Sequence, residues 1–406
     1  MTALTWCGTF SRSSLMWGGE DFEPKHIVKG QGARVLGSNN KWYLDWVCGL
    51  GPNILGYDDV EFSERVADCI LDGVAFSIES VLEHEAADAL AYLLSLHVPG
   101  WKVQPLGVRF GLSGSDACNM AIRLARAITG KMHVLSGGYH GWSDAFVSMT
   151  PPAHGIIPEE SGYIHPITLG DRTSLLPYEY RDDIAAIIVE HPATPIDPLW
   201  YFALRQFCDD HDALLIIDEV VTGFRWALGG VCEVHDIRPD LCVYGKSLGN
   251  GIPVSALVGP RDYLDWFARV DPVFCSGTFN GNALSCTAAL AFLDIWSSGH
   301  VAYLWDMGTT LMRGLSDAGW DVIGHPPRSV LTFADDYQKA FFIASMRDRG
   351  VLMNRPNFPC CAHTVKDVDY TVKCARDVHT EMAAMDHDEL VTLTVDRLPR
   401  VLFRNR

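Results

Sequence analysis

Apolar and polar positions along this chain follow two periods in turn. Residues 41–57, KWYLDWVCGLGPNILGY, predict a short strand running into a Gly/Pro loop of the kind that lines a site. From Glu61 to about His97 helical spacing dominates, first in EFSERVADCILDG and then in EHEAADALAYLLSL. Strand and helix then alternate. VRFGLSG is a strand entering a turn, and DACNMAIRLARAITG is a helix with Ala117, Met120, Ala121 and Leu124 on one stripe. HVLSGGYHG is another strand and loop, and IAAIIVE, ALLIIDEV and LCVYGKS are three further apolar runs separated by helix-length segments. Near-continuous apolar strands alternating with helices predict an α/β fold with a mainly parallel sheet covered on both faces.

The pattern changes near Ser298. KAFFIASMRDRG, then VLMN, then VKDVDYTVKCARDVHTEM predict a smaller α+β domain closed by an amphipathic helix. The chain therefore divides into an N-terminal segment, 1–55, that contributes to the small domain and the site, a large domain, 56–297, and a small domain, 298–406. The last stretch, LVTLTVDRLPRVLFRNR, is basic and reads equally as a docked strand or a loose tail.

At 406 residues the chain has room for one large α/β domain and a smaller one. The formal charge of −18 disfavours nucleic acid and anionic membranes as partners, because both repel such a surface. No 18-residue apolar run is present, and the opening MTALTWCGTFSRSS lacks the apolar core of a signal peptide. The 12 cysteines are scattered without a CxxC pair, which suits reduced small hydrophobes in a cytoplasmic protein rather than a disulfide framework. CDDHD at 208–212 has metal-ligand residue types but reads as a solvated helix end, so no metal is expected there.

Ligands of parallel sheets gather outside the carboxyl ends of the strands. Ser113, Glu190, Asp218 and Lys246 fall at such ends. Gly114 and Ser115 stand at the start of a helix, where unsatisfied amides and the positive dipole end suit a phosphate; a plain N-cap by Ser115 or Asp116 explains the same residues. Lys246 follows a strand and precedes a Gly-rich turn, so its amine can face the site and form a Schiff base with an aldehyde. ALLIIDEVVTGFRW drives an apolar run into Asp218, and a buried carboxylate needs a cationic or hydrogen-bonding partner. A carboxylate held near a pyridinium nitrogen keeps that ring protonated and able to accept electrons. Phosphate site, Schiff-base lysine and pyridinium partner together describe pyridoxal 5′-phosphate (PLP).

DEVVTGFR, GKSLGNGIPVSALVG, SGSDACNMAIRLARA, GGYHGWSD and SGTFNGNALS resemble, taken together, the signatures of class III, fold-type I PLP aminotransferases. GLGPNILGY and AHTVKDVDYTV are similar to the glutamate-1-semialdehyde aminomutase-like branch. The resemblance covers roughly residues 40 to 380 and implies a role for each matched position. Lys246 would carry the cofactor and shuttle the proton, and Asp218 would bind the pyridine nitrogen. Val220 would pack on one ring face and Tyr139 would stack on the other, with His140 beside it. Ser113, Gly114 and Ser115 would hold the phosphate, and Glu190 and His140 would be among the cofactor-binding positions. Thr278 would reach the phosphate bound by a neighbouring subunit, making a homodimer necessary for a complete site. Glu219 and Arg225 would be structural, with a salt-bridge role. Trp17, Trp46, Trp142 and Trp226 are candidates for a pocket wall or for core.

The chain departs from the family on the substrate side. VEHPATPIDP lacks the Asn or Gln that family members place after the Glu190 strand, leaving Thr194 or Asp197 for the contact to the cofactor's phenolic oxygen. The loop MTPPAHGIIPEESG, 149–162, stands where the aminomutase has its gating loop but differs in sequence, and Arg12 is the N-terminal candidate for a substrate carboxylate. The leading expectation is an aminotransferase moving an amino group from a primary amine to an aldehyde or ketone. An intramolecular 2,1-aminomutase, or a PLP-dependent decarboxylase or lyase, would use the same scaffold. A non-catalytic binding module is disfavoured by the retained Lys246, Asp218 and Ser115.

Overall fold

The structure, a computed structural model, describes residues 23–148, 155–157, 159–395 and 398. Three short strands open the described chain: β1 (Ile27–Gln31), β2 (Arg34–Gly37) and β3 (Trp42–Asp45). They belong to the smaller of two compact units, built from residues 1–50, 56–58 and 304–406.

The larger unit, residues 51–55 and 59–303, is organised by a seven-stranded sheet. Its strands are β4 (Leu106–Gly111), β5 (His133–Gly137), β6 (Ile164–Pro166), β7 (Ile184–Glu190), β8 (Leu214–Asp218), β9 (Leu241–Tyr244) and β10 (Ser255–Pro260), in the order β4-β10-β9-β8-β7-β5-β6. The pairs from β6 through β5, β7 and β8 to β9 are parallel. Only β10 runs the other way, antiparallel to both β9 and β4. Residues 245–254, which join β9 to β10, are too few for a crossover, and a short connection returns the chain antiparallel. β8 is buried along its whole length and β7 at every position before Glu190, as strands covered on both faces must be.

Helix Gly114–Thr129 buries Ala117, Met120, Ala121 and Leu124 against β7, β8, β9 and β10, the stripe that the helical period predicts. Helix Leu199–Asp210 links β7 to β8 and buries Trp200, Tyr201, Leu204 and Phe207. Helices Val60–Asp72, Val81–His97 and Ala283–Ile295 form a packed group, the last mostly buried. Between β8 and β9 the structure differs from the expected strand–helix–strand unit. The crossover holds only the four-residue helix Val231–Val234, because the Gly-rich TGFRWALGG segment forms turns and the Glu219 side chain binds the amides of Val231 and Cys232.

The smaller unit holds two sheets, β1-β2-β3-β13 and β11-β12-β14, with β11 (Val322–His325), β12 (Arg328–Leu331), β13 (Val351–Leu352) and β14 (Pro356–Asn357). β3 and β13 pair in parallel. Trp320 packs edge-on to Phe342 at 4.5 Å and donates its indole N–H to the Ala375 carbonyl, tying helices Asp336–Asp348 and Val365–Ala383 together. Leu390–Thr394, which reads as a strand or a tail, is helical within His387–Thr394. Leu390 and Thr394, four residues apart, turn inward on one face, and Asp386 caps the start by accepting from the Glu389 amide.

Candidate active site

The carboxyl ends of β7, β8 and β9 converge on one place in the larger unit. Parallel register sets Glu190 beside Asp218 and Asp218 beside Val243, and the amide of Glu219 closes the β8–β9 edge on the Val243 carbonyl. Lys246 comes one residue, Gly245, after β9 and opens a single turn of 3-10 helix. Its backbone has φ +42°, left-handed for a side chain with a β-carbon. Such a conformation costs on the order of 1–3 kcal/mol and persists where surrounding structure enforces it, most often at functional positions.

Asp218 is almost fully buried and its carboxylate is fully engaged on the protein side. His140 Nδ1 lies 2.7 Å from Oδ2, the Val220 amide donates to Oδ1 at 3.0 Å, and the Cys118 thiol donates to Oδ2 at 3.4 Å. His140 is also buried, and its Nε2 faces the Gly137 carbonyl at 3.1 Å. It therefore stands behind Asp218 as its support rather than at the open face. Burial pushes the Cys118 thiol well up, as does Asp218, while Lys246 pulls the other way; all three groups share one neighbourhood. The Tyr139 hydroxyl is raised by burial and by Glu190, placing the half-exposed tyrosine next to the β7 end.

The start of helix Gly114–Thr129 forms the opposite wall. Its N-cap is Ser113, not Ser115 or Asp116 as the simpler reading has it. Ser113 Oγ accepts from the Asp116 amide while Asp116 Oδ2 accepts from the Ser113 amide, a capping box written in the sequence as Ser-x-x-Asp. The amides of Gly114 and Ser115 occupy the first turn, where a helix supplies no carbonyl for them. A β-carbon on Gly114 would stand 3.0 Å from Val220 Cγ2, so any larger residue would press on Val220. Ser115 Oγ accepts from the Trp142 amide, and Gly141 sits against it with φ +106°. Gly141 and Cys118 are contributors that chemical type alone does not single out; the Gly-Tyr-His-Gly spacing is the signal for the first.

A phosphate fits the helix start, a pyridine nitrogen fits the supported carboxylate of Asp218, and an aldehyde fits a lysine fixed at the end of the adjacent strand. The donor set thus suits PLP.

Other predicted positions lie elsewhere. Thr278 is exposed, as are Phe274 and Phe279 in the same segment. Thr194 and Asp197 are exposed, and Asp197 Oδ1 accepts from the Leu199 amide. The Glu219 carboxylate is taken up by the Thr222 hydroxyl and the amides of Val231 and Cys232, while Arg225 donates to the Gly51 carbonyl; hydrogen bonds, not the expected salt bridge, hold Glu219. Trp46 and Trp226 are buried core, and Trp142 is exposed. Arg12, Trp17 and residues 149–154 and 158 of the loop lie outside the described residues. Among the described residues no helix is long and apolar enough to cross a membrane.

Comparison with known proteins agrees with this geometry. A family model described as aminotransferase class-III matches residues 19–354. The glutamate-1-semialdehyde 2,1-aminomutase of Thermomicrobium roseum is 32% identical, covering 89% of this chain and 92% of that protein. The enzyme of the same name from Methanothrix thermoacetophila is also 32% identical, covering 72% of this chain and 70% of that protein. Among solved structures, the PLP internal aldimine form of the Sphingopyxis sp. MTA144 FumI protein superposes with a TM-score of 0.82 at 26% identity, over 94% of this chain and 95% of that one. The architecture is that of the fold-type I transferases. With a family model spanning most of its length and relatives above 30% identity along most of theirs, the chain belongs to the class-III aminotransferases.

Proposed function

We propose that this chain is a PLP-dependent aminotransferase that moves an amino group from a small primary amine to an aldehyde or ketone. The observation that carries the reading is the pairing of Asp218 and Lys246 at the ends of adjacent parallel strands, with His140 behind the carboxylate. PLP, when bound, supplies the electron sink that lets a bond at the donor carbon give up its electrons.

The chain's own residues do the rest. Lys246 would hold the cofactor covalently and then, released, carry the proton between two carbons from its Nζ. Asp218 would keep a proton on the ring nitrogen, and His140 holds that carboxylate in place. Val220 and Tyr139 would fix the ring plane between them. Gly114 and Ser115 would bind the phosphate through the helix start, where dipole and amides favour an anion. Thr278 would serve the site of a second copy; its exposure, with Phe274 and Phe279 exposed in the same segment, supports a surface that another chain covers.

A second reading is an intramolecular aminomutase acting on an amino-aldehyde, supported by the name that both curated relatives carry. One experiment separates the two. The visible spectrum of the purified protein is titrated with a panel of amines while carbonyl products are identified. A yellow band bleached by one donor, with a stoichiometric carbonyl product, establishes amino transfer. Isomerisation of an amino-aldehyde without net carbonyl product establishes the aminomutase. No band after adding PLP, or a band that survives in Lys246→Ala, would overturn both.

A further inference from the structure

The smaller unit contains a second concentration of reactive side chains, for which the proposed reaction has no use. The sulfurs of Cys48 and Cys360 and a ring nitrogen of His363 all lie within 4.8 Å of one another, and none of the three residues is exposed to solvent. They come from two distant stretches. Cys48 follows β3, and Cys360 and His363 sit three residues apart in the turn after β14.

Each donor is held in place by other groups. Cys48 has a left-handed backbone, φ +49°, in a turn closed by Asp45 Oδ1, which accepts from the amides of Val47 and Cys48. The His363 ring lies flat on the Trp46 indole at 3.8 Å and 9°, and Trp46 is anchored through its N–H to Thr371 Oγ1. His363 Nδ1 is 3.1 Å from Cys360 Sγ and accepts from the Cys360 amide. Cys48 Sγ also lies within reach of the carbonyls of Asp45, at 3.3 Å, and Phe358, at 3.2 Å.

The geometry points to a structural site for a thiophilic divalent cation of the zinc class, bound by Cys48 Sγ, Cys360 Sγ and a ring nitrogen of His363, with the Asp45 or Phe358 carbonyl as fourth donor. Two thiolates and one imidazole match the soft donor set that such an ion takes in tetrahedral sites. Entry of the ion releases two thiol protons to solvent and leaves two sulfur–metal bonds, so the dication and two thiolates cancel. A neutral cluster is what a fully buried position tolerates. The ion would join the exit of β3 to the turn after β14, two parts of one small unit that are far apart in sequence.

The test uses the full-length, PLP-loaded protein produced in zinc-supplemented medium and freed of loose metal. About one zinc per chain is expected by elemental analysis, falling to background in Cys360→Ser and unchanged in Cys275→Ser. Should Cys360→Ser fail to fold, cobalt(II) in the wild-type protein gives the answer: a thiolate-to-cobalt charge-transfer band with tetrahedral visible bands is expected. Zinc at background in wild type, a cobalt spectrum without the sulfur band, or an intact mass lacking two hydrogens from a Cys48–Cys360 disulfide would each overturn the assignment.

Discussion

His140 Nδ1 sits 2.7 Å from Asp218 Oδ2, and its other nitrogen faces the Gly137 carbonyl, so both sides of a buried imidazole meet acceptors. The contact to the Asp218 carboxylate fixes where that carboxylate points. A hydrogen bond to a charged group contributes about 1.5–3 kcal/mol, on the order of ten- to a hundred-fold in an equilibrium constant. His140→Ala should therefore lose about that factor in PLP affinity or turnover while remaining folded. Cofactor titration by absorbance, beside a circular-dichroism melt, checks it. Unchanged affinity and turnover would remove His140 from the site.

Gly141 tests the helix-start wall. A β-carbon there would stand 2.1 Å from Ser115 Oγ, on a backbone with φ +106° that side chains rarely adopt. Gly141→Ala is expected to cost about 1–3 kcal/mol of stability and to weaken PLP binding by displacing Ser115. Urea unfolding and cofactor titration measure the two effects; full affinity would mean that Ser115 does not touch the phosphate.

Thr278 tests the assembly. If it serves the neighbouring site, a mixture of Lys246→Ala and Thr278→Ala chains forms heterodimers with one fully intact site. Activity should then rise above the sum of the two separate variants after mixing and subunit exchange. Strict additivity would place Thr278 in its own chain's site or in none.

Glu219 gives the protein a pH-dependent stability. Burial raises its carboxyl from 4.5 to about 7, with the hydrogen bonds from Thr222, Val231 and Cys232 opposing that rise. In the interval between these values the folded state binds a proton that the unfolded chain does not. Its contribution is complete below pH 4.5 and is lost as the pH rises through 7, about 3 kcal/mol in all. Asp45 is pushed the same way by burial, so only part of the slope belongs to Glu219. Urea unfolding at pH 5 and pH 8 should show a smaller loss in Glu219→Gln than in wild type; equal slopes would refute the assignment.

Strands β5, β7, β8 and β9 are legible because each is an apolar run ending at chemically pointed residues, and helix Gly114–Thr129 because its stripe repeats at helical spacing. β10 is not, since SALVGP continues a Gly-rich loop and its direction depends on the length of the preceding connection. Neither is the helix Val231–Val234, whose start rests on Glu219, twelve residues earlier. Asp218 and Lys246 stand out from their chemistry and place, but the support of Asp218 by His140 joins residues 78 apart. The Cys48, Cys360 and His363 cluster is further from view, because no spacing rule connects a residue after β3 with a turn after β14.

The pairing of β4 with β10 bears on how the molecule is made. β4, residues 106–111, is an edge strand whose sheet neighbour is residues 255–260. On the ribosome it emerges long before that neighbour, and the large sheet cannot close until most of its unit has left the exit tunnel. The smaller unit waits longer still, since β3 near the start pairs with β13 at residues 351–352. High contact order of this kind slows folding and leaves apolar strands uncovered during synthesis. Truncation after residue 240 should therefore yield an aggregating fragment rather than a smaller folded protein, and the nascent chain is where this protein most needs a chaperone.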